Sequence, residues 1–187
     1  MSSSPCRFWT REAELFCRDY RRLQLETGQI VPPRKAFTPA TARAPLPYLS
    51  ILEFKSPQLL LVKLVGTAIV NRTRIDNTGR NMLDLMPPEL RADAIAGFRE
   101  LLDTPCGATY ISHENYGDVA IPIEILSFPF ADAAGRPTLI ISLSVEIDRQ
   151  ELMLRGEDPM ALSTIFSKRT IDLGAGAPAV TASKTPV

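Results

Sequence analysis

Between positions 138 and 147 apolar and polar residues alternate one for one. Leu139, Ile141, Leu143, Val145 and Ile147 fall on one side of an extended chain, and Ser142, Ser144 and Glu146 on the other. A period of two fits a β-strand and no helix. It also fixes register, because a slip of one residue would turn the whole apolar row to the opposite face. Such a strand demands neighbours, and the sequence supplies them. Residues 49–54 and 59–65 flank the turn Lys55-Ser56-Pro57-Gln58 and predict an antiparallel hairpin. Residues 108–116 and 119–128 flank Gly117-Asp118, and Pro122 in the second removes a ladder donor, which predicts an edge position or a bulge.

Helical spacing appears before, between and after these strands. Over residues 7–27, Trp9, Ala13, Phe16, Tyr20 and Leu23 form one stripe, with Arg11, Glu14, Arg18 and Arg22 largely off it and Gly28 placed to stop the helix. The stripe is expected to bury against the sheet or against a second copy, giving a homodimer through the N-terminal helix. Residues 31–47 are punctuated by proline and exclude a single regular element. Residues 68–86 predict short helices and turns. Pro87 and Pro88 then open a helix to about residue 103, with Leu90, Ala94, Phe98 and Leu101 inward. Beyond Asp148, residues 158–166 predict a short helix capped by Asp158 with Pro159 in its first turn. From Gly174 the composition turns to Ala, Gly, Pro, Ser and Thr, which predicts disorder. The chain thus divides into an N-terminal amphipathic helix at 1–28, a domain at 29–150 and an extension at 151–187.

Composition narrows the function. Lys plus Arg and Asp plus Glu both number 21, a balance that argues against nonspecific nucleic-acid binding, which rests on phosphate neutralisation. The local excess at Arg18-Asp19-Tyr20-Arg21-Arg22 reads as a solvated helix face. Cys6, Cys17 and Cys106 are odd in number and lack metal-site spacing, as expected for a reduced chain. The apolar run from Leu59 to Val70 is broken by Lys63 and is shorter than the ~20 residues a helical bilayer crossing needs. Residues 1–5 lack the charged start and long apolar core of a secretion signal. A cytoplasmic protein without membrane contact is the expectation.

One further motif is specific. Leu64-Val65-Gly66-Thr67-Ala68-Ile69-Val70 carries a strand through a Gly-Thr turn into a short helix, and Thr78-Gly79-Arg80 follows. Gly66 can take backbone angles closed to other residues, and Gly79 can make a tight turn at no steric cost. Upstream stand Pro32, Arg34 and Pro39, then Leu46-Pro47-Tyr48-Leu49; downstream, Gly135-Arg136-Pro137 precedes the strand that ends at Ile147-Asp148. Together these residues, across positions 16–148, resemble a bacterial PAS-domain family of small, mostly single-domain proteins. Two departures stand out: Ala36 and Phe37 occupy positions where that family is usually acidic, and Arg74-Ile75-Asp76 replaces its first Gly-Arg-Asp. The resemblance implies an α+β fold, a five-stranded antiparallel sheet with helices on one face and the N-terminal helix on the other. It also implies a non-enzymatic sensor or regulatory domain in bacterial signal transduction, binding a small molecule or a partner protein between the sheet and the short helices.

The candidate ligand-binding residues are Leu64, Thr67, Ile69, Arg80, Leu83, His113 and Glu124. His113 is the sole histidine, so a multi-histidine metal site within one chain is excluded. It reads as an ordinary sheet histidine or as a pocket group that titrates near ~6.5. Haem ligation would call for a histidine in the helical region instead. Glu124 interrupts an apolar run, so either its face is exposed or it is paired in a pocket, with Arg80 the expected partner. Asp76 and Thr78 are expected to satisfy free backbone donors at a helix start. No P-loop, dinucleotide fingerprint or G-x-S-x-G elbow is present, and the sequence names no cofactor. Two alternatives remain: a small cone-shaped enzyme of the nuclear-transport-factor-like type, using His113 with Glu114 or Glu124, and an interaction scaffold without a pocket.

Overall fold

The computed structural model describes residues 7–40, 42, 45–148 and 159–176. Its first element is α1 (Arg11–Thr27), opened by Thr10, whose hydroxyl accepts the Ala13 N–H, and closed by Gly28 at φ 65°. Strands β1 (Leu49–Ser56) and β2 (Leu59–Val65) form the expected hairpin. Helices α2 (Thr67–Thr73) and α3 (Pro88–Asp103) follow, with a 3-10 turn at Met82–Leu85 between them. Then come β3 (Cys106–Tyr116), β4 (Val119–Ala131), β5 (Pro137–Glu146) and β6 (Leu162–Asp172). Every pairing between neighbouring strands is antiparallel, and the order across the sheet is β2-β1-β5-β4-β3-β6.

The fold is α+β and PAS-like, with six strands in place of five. The sixth overturns the short helix expected over 158–166: residues from Leu162 onward pair with β3, while the proposed cap, Asp158, lies outside the described residues. The cause is tertiary. A helix there would have left the β3 edge unpaired, and Ile171 and Leu173 are instead buried beside Phe128 and the foot of α1. The tail beyond residue 176 likewise lies outside the described residues.

The β5 period works as its sequence implies. Leu139, Ile141, Leu143 and Val145 join Leu126, Phe128 and Phe130 in a core sealed by Ala13, Phe16, Tyr20 and Leu23 of α1. Tyr20 stacks on Phe128 at 4.3 Å, and its hydroxyl donates to the Pro129 carbonyl at 3.0 Å. This α1 stripe is therefore consumed by the chain's own sheet, with one correction: Trp9 stands 70% exposed. The opposite face carries α3, whose Leu101 and Leu102 pack on Ala108 and Ile140.

Two local expectations change. Pro122 lies in an interior strand, neither at an edge nor in a bulge. Its carbonyl accepts the Ile147 N–H, so its missing donor faces the point where the β4–β5 ladder, beginning at Ile123↔Glu146, has already ended. Gly66 sits at φ −67°, ψ 149°, open to any residue. Glycine is needed there because a Cβ would lie 2.1 Å from the Pro47 carbonyl oxygen and 2.8 Å from that of Leu49.

Candidate functional site

The space between α2 and the sheet is where the sequence placed a pocket, and one side chain fills it. Arg72 of α2 is 1% exposed. Its Nε and Nη2 donate to the two Glu114 oxygens at 2.8 and 3.1 Å, and Nη1 donates to Glu146 Oε1 at 3.0 Å. Nη1 also reaches the Ser144 carbonyl at 3.2 Å, and Nη2 the Ser144 hydroxyl at 2.7 Å. A guanidinium has five N–H donors, and all are engaged. The Tyr116 hydroxyl donates to Glu114 Oε2 at 2.6 Å. Burial alone would lower the Arg72 pKa; the charges of Glu114 and Glu146, with the hydrogen bonds they accept, outweigh it and hold the guanidinium above its ordinary range.

The cluster is unbalanced. One cation faces two carboxylates, both nearly buried. Glu146 Oε2 and the nearby Ser112 hydroxyl are buried without a hydrogen-bond partner among the described residues. Polar atoms so placed are costly and rare in folded proteins. Next along this face the Ser127 and Ser142 hydroxyls pair at 2.7 Å. Chemically the cluster can accept a hydrogen bond or a positive charge, but it has no guanidinium donor left to offer.

The residues expected to bind a ligand do not converge. Leu64, Thr67 and Arg80 are exposed, Ile69 is half-buried in α2, and Leu83 is buried with Leu52, Leu60 and Val62. The Thr78-Gly79-Arg80 motif is a clip on the sheet edge. Thr78 Oγ1 accepts the Val65 N–H at 3.2 Å, the Gly79 N–H donates to the Val62 carbonyl, and the Arg80 carbonyl accepts the Val62 N–H at 2.9 Å. Asp76 serves a turn rather than a helix start, its carboxylate accepting the Thr78 N–H at 2.9 Å. His113 lies on the α1 side of the sheet, its ring 4.2 Å from that of Phe166 in β6.

Glu124 is the clearest correction. It is fully buried, not on an exposed face, and its partner is not Arg80. Its Oε1 and Oε2 accept the Trp9 N–H at 3.0 and 3.1 Å, and Oε2 accepts both the N–H and the hydroxyl of Thr10 at 2.7 Å. A carboxylate at a helix start meets the free amides and the positive end of the helix dipole. Glu124 is thus the anchor of α1, and a His113–Glu124 dyad is absent.

Arg72 and Glu146 were missed, and Glu114 was considered only beside His113, although a signal for their pairing existed. The two-residue period puts Ser112, Glu114 and Tyr116 of β3 on one face and Ser142, Ser144 and Glu146 of β5 on the same side. Two polar rows on a covered sheet face require a cation above them, and α2 holds Arg72 three residues after Ile69. Two concavities were found elsewhere, of about 420 Å³ beside Phe8, Trp9 and Arg11 and about 350 Å³ between Arg7, Trp9, Ile111 and Arg169. Among the described residues no group of three or more His, Cys, Asp or Glu side chains could hold a metal ion. No described helix is long and apolar enough to cross a membrane.

No protein-family model matches the sequence, and no curated protein matches it. Solved structures similar to this chain include a Rhodobacter sphaeroides LOV protein, with 17% identity and a TM-score of 0.41 over 54% of this chain and 59% of that one. The light-state Aureochrome1 LOV photoreceptor is similar over 59% of this chain and 88% of its own, with 14% identity and a TM-score of 0.40. The PAS domain of an HTR-like protein from Haloarcula marismortui shares 12% identity over 52% of this chain and 80% of its own, at a TM-score of 0.34.

Proposed function

We propose that this chain is a non-enzymatic PAS-type sensor domain in bacterial signal transduction, and that its signal is a small molecule received at the Arg72–Glu114–Glu146 cluster. One observation carries this reading: the buried Glu146 Oε2 without a partner, next to a guanidinium whose five donors are spent. A purely structural network gains by closing every bond, whereas a receptor surface keeps one open. A change in how α2 sits on the sheet would be the output.

Native mass spectrometry of freshly purified protein tests this. The wild type should carry a co-purifying small molecule, and Glu146→Gln, folded by circular dichroism, should have lost it. If both are empty under every extraction tried, the sensor reading fails.

An interaction scaffold is the second reading. It is favoured by the two concavities lying away from the space beneath α2, and by Trp9, Leu25 and Phe166 standing 70%, 85% and 62% exposed.

A further inference from the structure

Both concavities are lined by Trp9. Burying a tryptophan is strongly favourable, so one left 70% exposed calls for a reason. Its backbone is not loose. The Trp9 N–H is held by both oxygens of the fully buried Glu124, and the next residue, Thr10, is held by the same carboxylate. The ring therefore projects from a fixed point.

The surroundings are cationic. Arg11 lines the larger concavity with Phe8, Thr10 and Glu14; Arg7, Lys168 and Arg169 line the smaller. Two of the charges are already engaged: Glu14 binds Arg18, and Lys168 binds Glu100. Arg169 donates one N–H to the Arg7 carbonyl, which ties β6 to the segment before α1. The guanidiniums of Arg7 and Arg11 have no ion pair among the described residues. The net result is an exposed indole on a held backbone, beside a recess whose Arg7 and Arg169 have no ion pair among the described residues.

We infer that the smaller recess binds a nucleotide, its base stacked on Trp9 and its phosphate on Arg7 and Arg169. A flat ring joined to a planar-matched anion is the ligand chemistry that an exposed indole and guanidiniums select together. The site shares no residue with the Arg72 cluster and does not depend on the sensor reading. Neutral overall charge argues against a broad nucleic-acid footprint, but two local arginines suffice for one nucleotide unit, whether free or within a strand.

The chain contains one tryptophan, so its fluorescence reports this site alone. Adenosine monophosphate, adenosine, inorganic phosphate and a six-residue deoxyadenylate strand would be titrated, with correction for absorbance. Saturable quenching by the monophosphate is expected, and at least tenfold weaker response to adenosine. Arg7→Gln and Arg169→Gln, each folded by circular dichroism, should weaken binding about tenfold or more. Trp9→Leu should abolish the heat of binding in calorimetry. If the strand binds much more tightly than the monophosphate and loses affinity steeply with salt, the source is nucleic acid; comparable affinities indicate the free nucleotide. The inference is overturned if quenching is linear without saturation, if adenosine or phosphate alone reproduces it, or if the arginine variants bind as the wild type does.

Discussion

The hydroxyl of Thr10 lies 2.7 Å from Oε2 of Glu124, across 114 residues of sequence, and the same carboxylate takes the backbone N–H groups of Trp9 and Thr10. Replacing Glu124 with Ala should strand these donors and fray the first turn of α1. The expected loss is about 3 kcal/mol in urea unfolding, since hydrogen bonds to a charged group contribute ~1.5–3 kcal/mol and buried orphans add to the cost. Thr10→Ala should lose about 1 kcal/mol, the usual value of a cap. The double variant should lose less than the sum, because both act through one network. An unchanged unfolding midpoint for Glu124→Ala would show that α1 is held by its apolar stripe alone.

Arg72→Met removes the cation and leaves Glu114 and Glu146 buried without it. Breaking a buried pair from one side typically costs ~3–5 kcal/mol. Replacing all three residues with apolar side chains of similar volume should restore most of that loss or exceed the wild type. Denaturant midpoints for the single and triple variants decide the matter, and a triple variant as unstable as Arg72→Met would contradict it.

Gly66→Ala forces a Cβ to within 2.1 Å of the Pro47 carbonyl oxygen, a backbone atom with little room to yield. It should destabilise the protein by more than ~3 kcal/mol, the upper range for overpacking, or prevent folding. Gly79→Ala is the control. Its φ is 82° with open space around the position, so only backbone strain of about 1–3 kcal/mol applies. Thermal melts should rank Gly66→Ala well below Gly79→Ala.

Burial, reinforced by the Glu100 carboxylate, pushes the Cys106 thiol from its ordinary value of 9.0 up to about 11. In the folded state it stays protonated where an exposed cysteine would already ionise. Iodoacetamide at pH 8 should therefore spare Cys106 in native protein and label it in urea, as read by peptide mass spectrometry. Because the folded value is the raised one, this thiol's contribution is intact below pH 9 and is lost as pH climbs towards 11. Rapid native labelling at pH 8 would show that the β3 start opens locally.

Most of the frame was legible because it rests on period. The β5 alternation, the β1–β2 hairpin and the Ala13-Phe16-Tyr20-Leu23 stripe each bury a face that the sequence already marks. What escaped was set by partners distant in sequence. Glu124 looks anomalous within its strand and becomes intelligible only when Thr10 is beside it. Arg72 reads as the polar end of a short helix until Glu114 and Glu146 are brought beneath it from two strands. Trp9 fits the helical stripe by spacing, yet it precedes the first turn of α1 and stays 70% exposed. The strand at Leu162–Asp172 carries no strong alternation and forms because β3 offers it an edge.

That last pairing bears on the order in which the molecule can be assembled. β6 binds β3 across Cys106↔Asp172 to Asn115↔Leu162, so each partner is translated between 47 and 66 residues earlier. At the opposite margin, residues 78–81 clip β2 across separations of only 13 to 21 residues. A nascent chain would thus have one margin of its sheet protected early and the other bare until the final strand clears the ribosome. During that interval the β3 backbone is open to pairing with any extended segment nearby, including that of a neighbouring nascent copy. Vulnerability to misassembly should accordingly be concentrated in the interval between the synthesis of β3 and that of β6, and on this one flank.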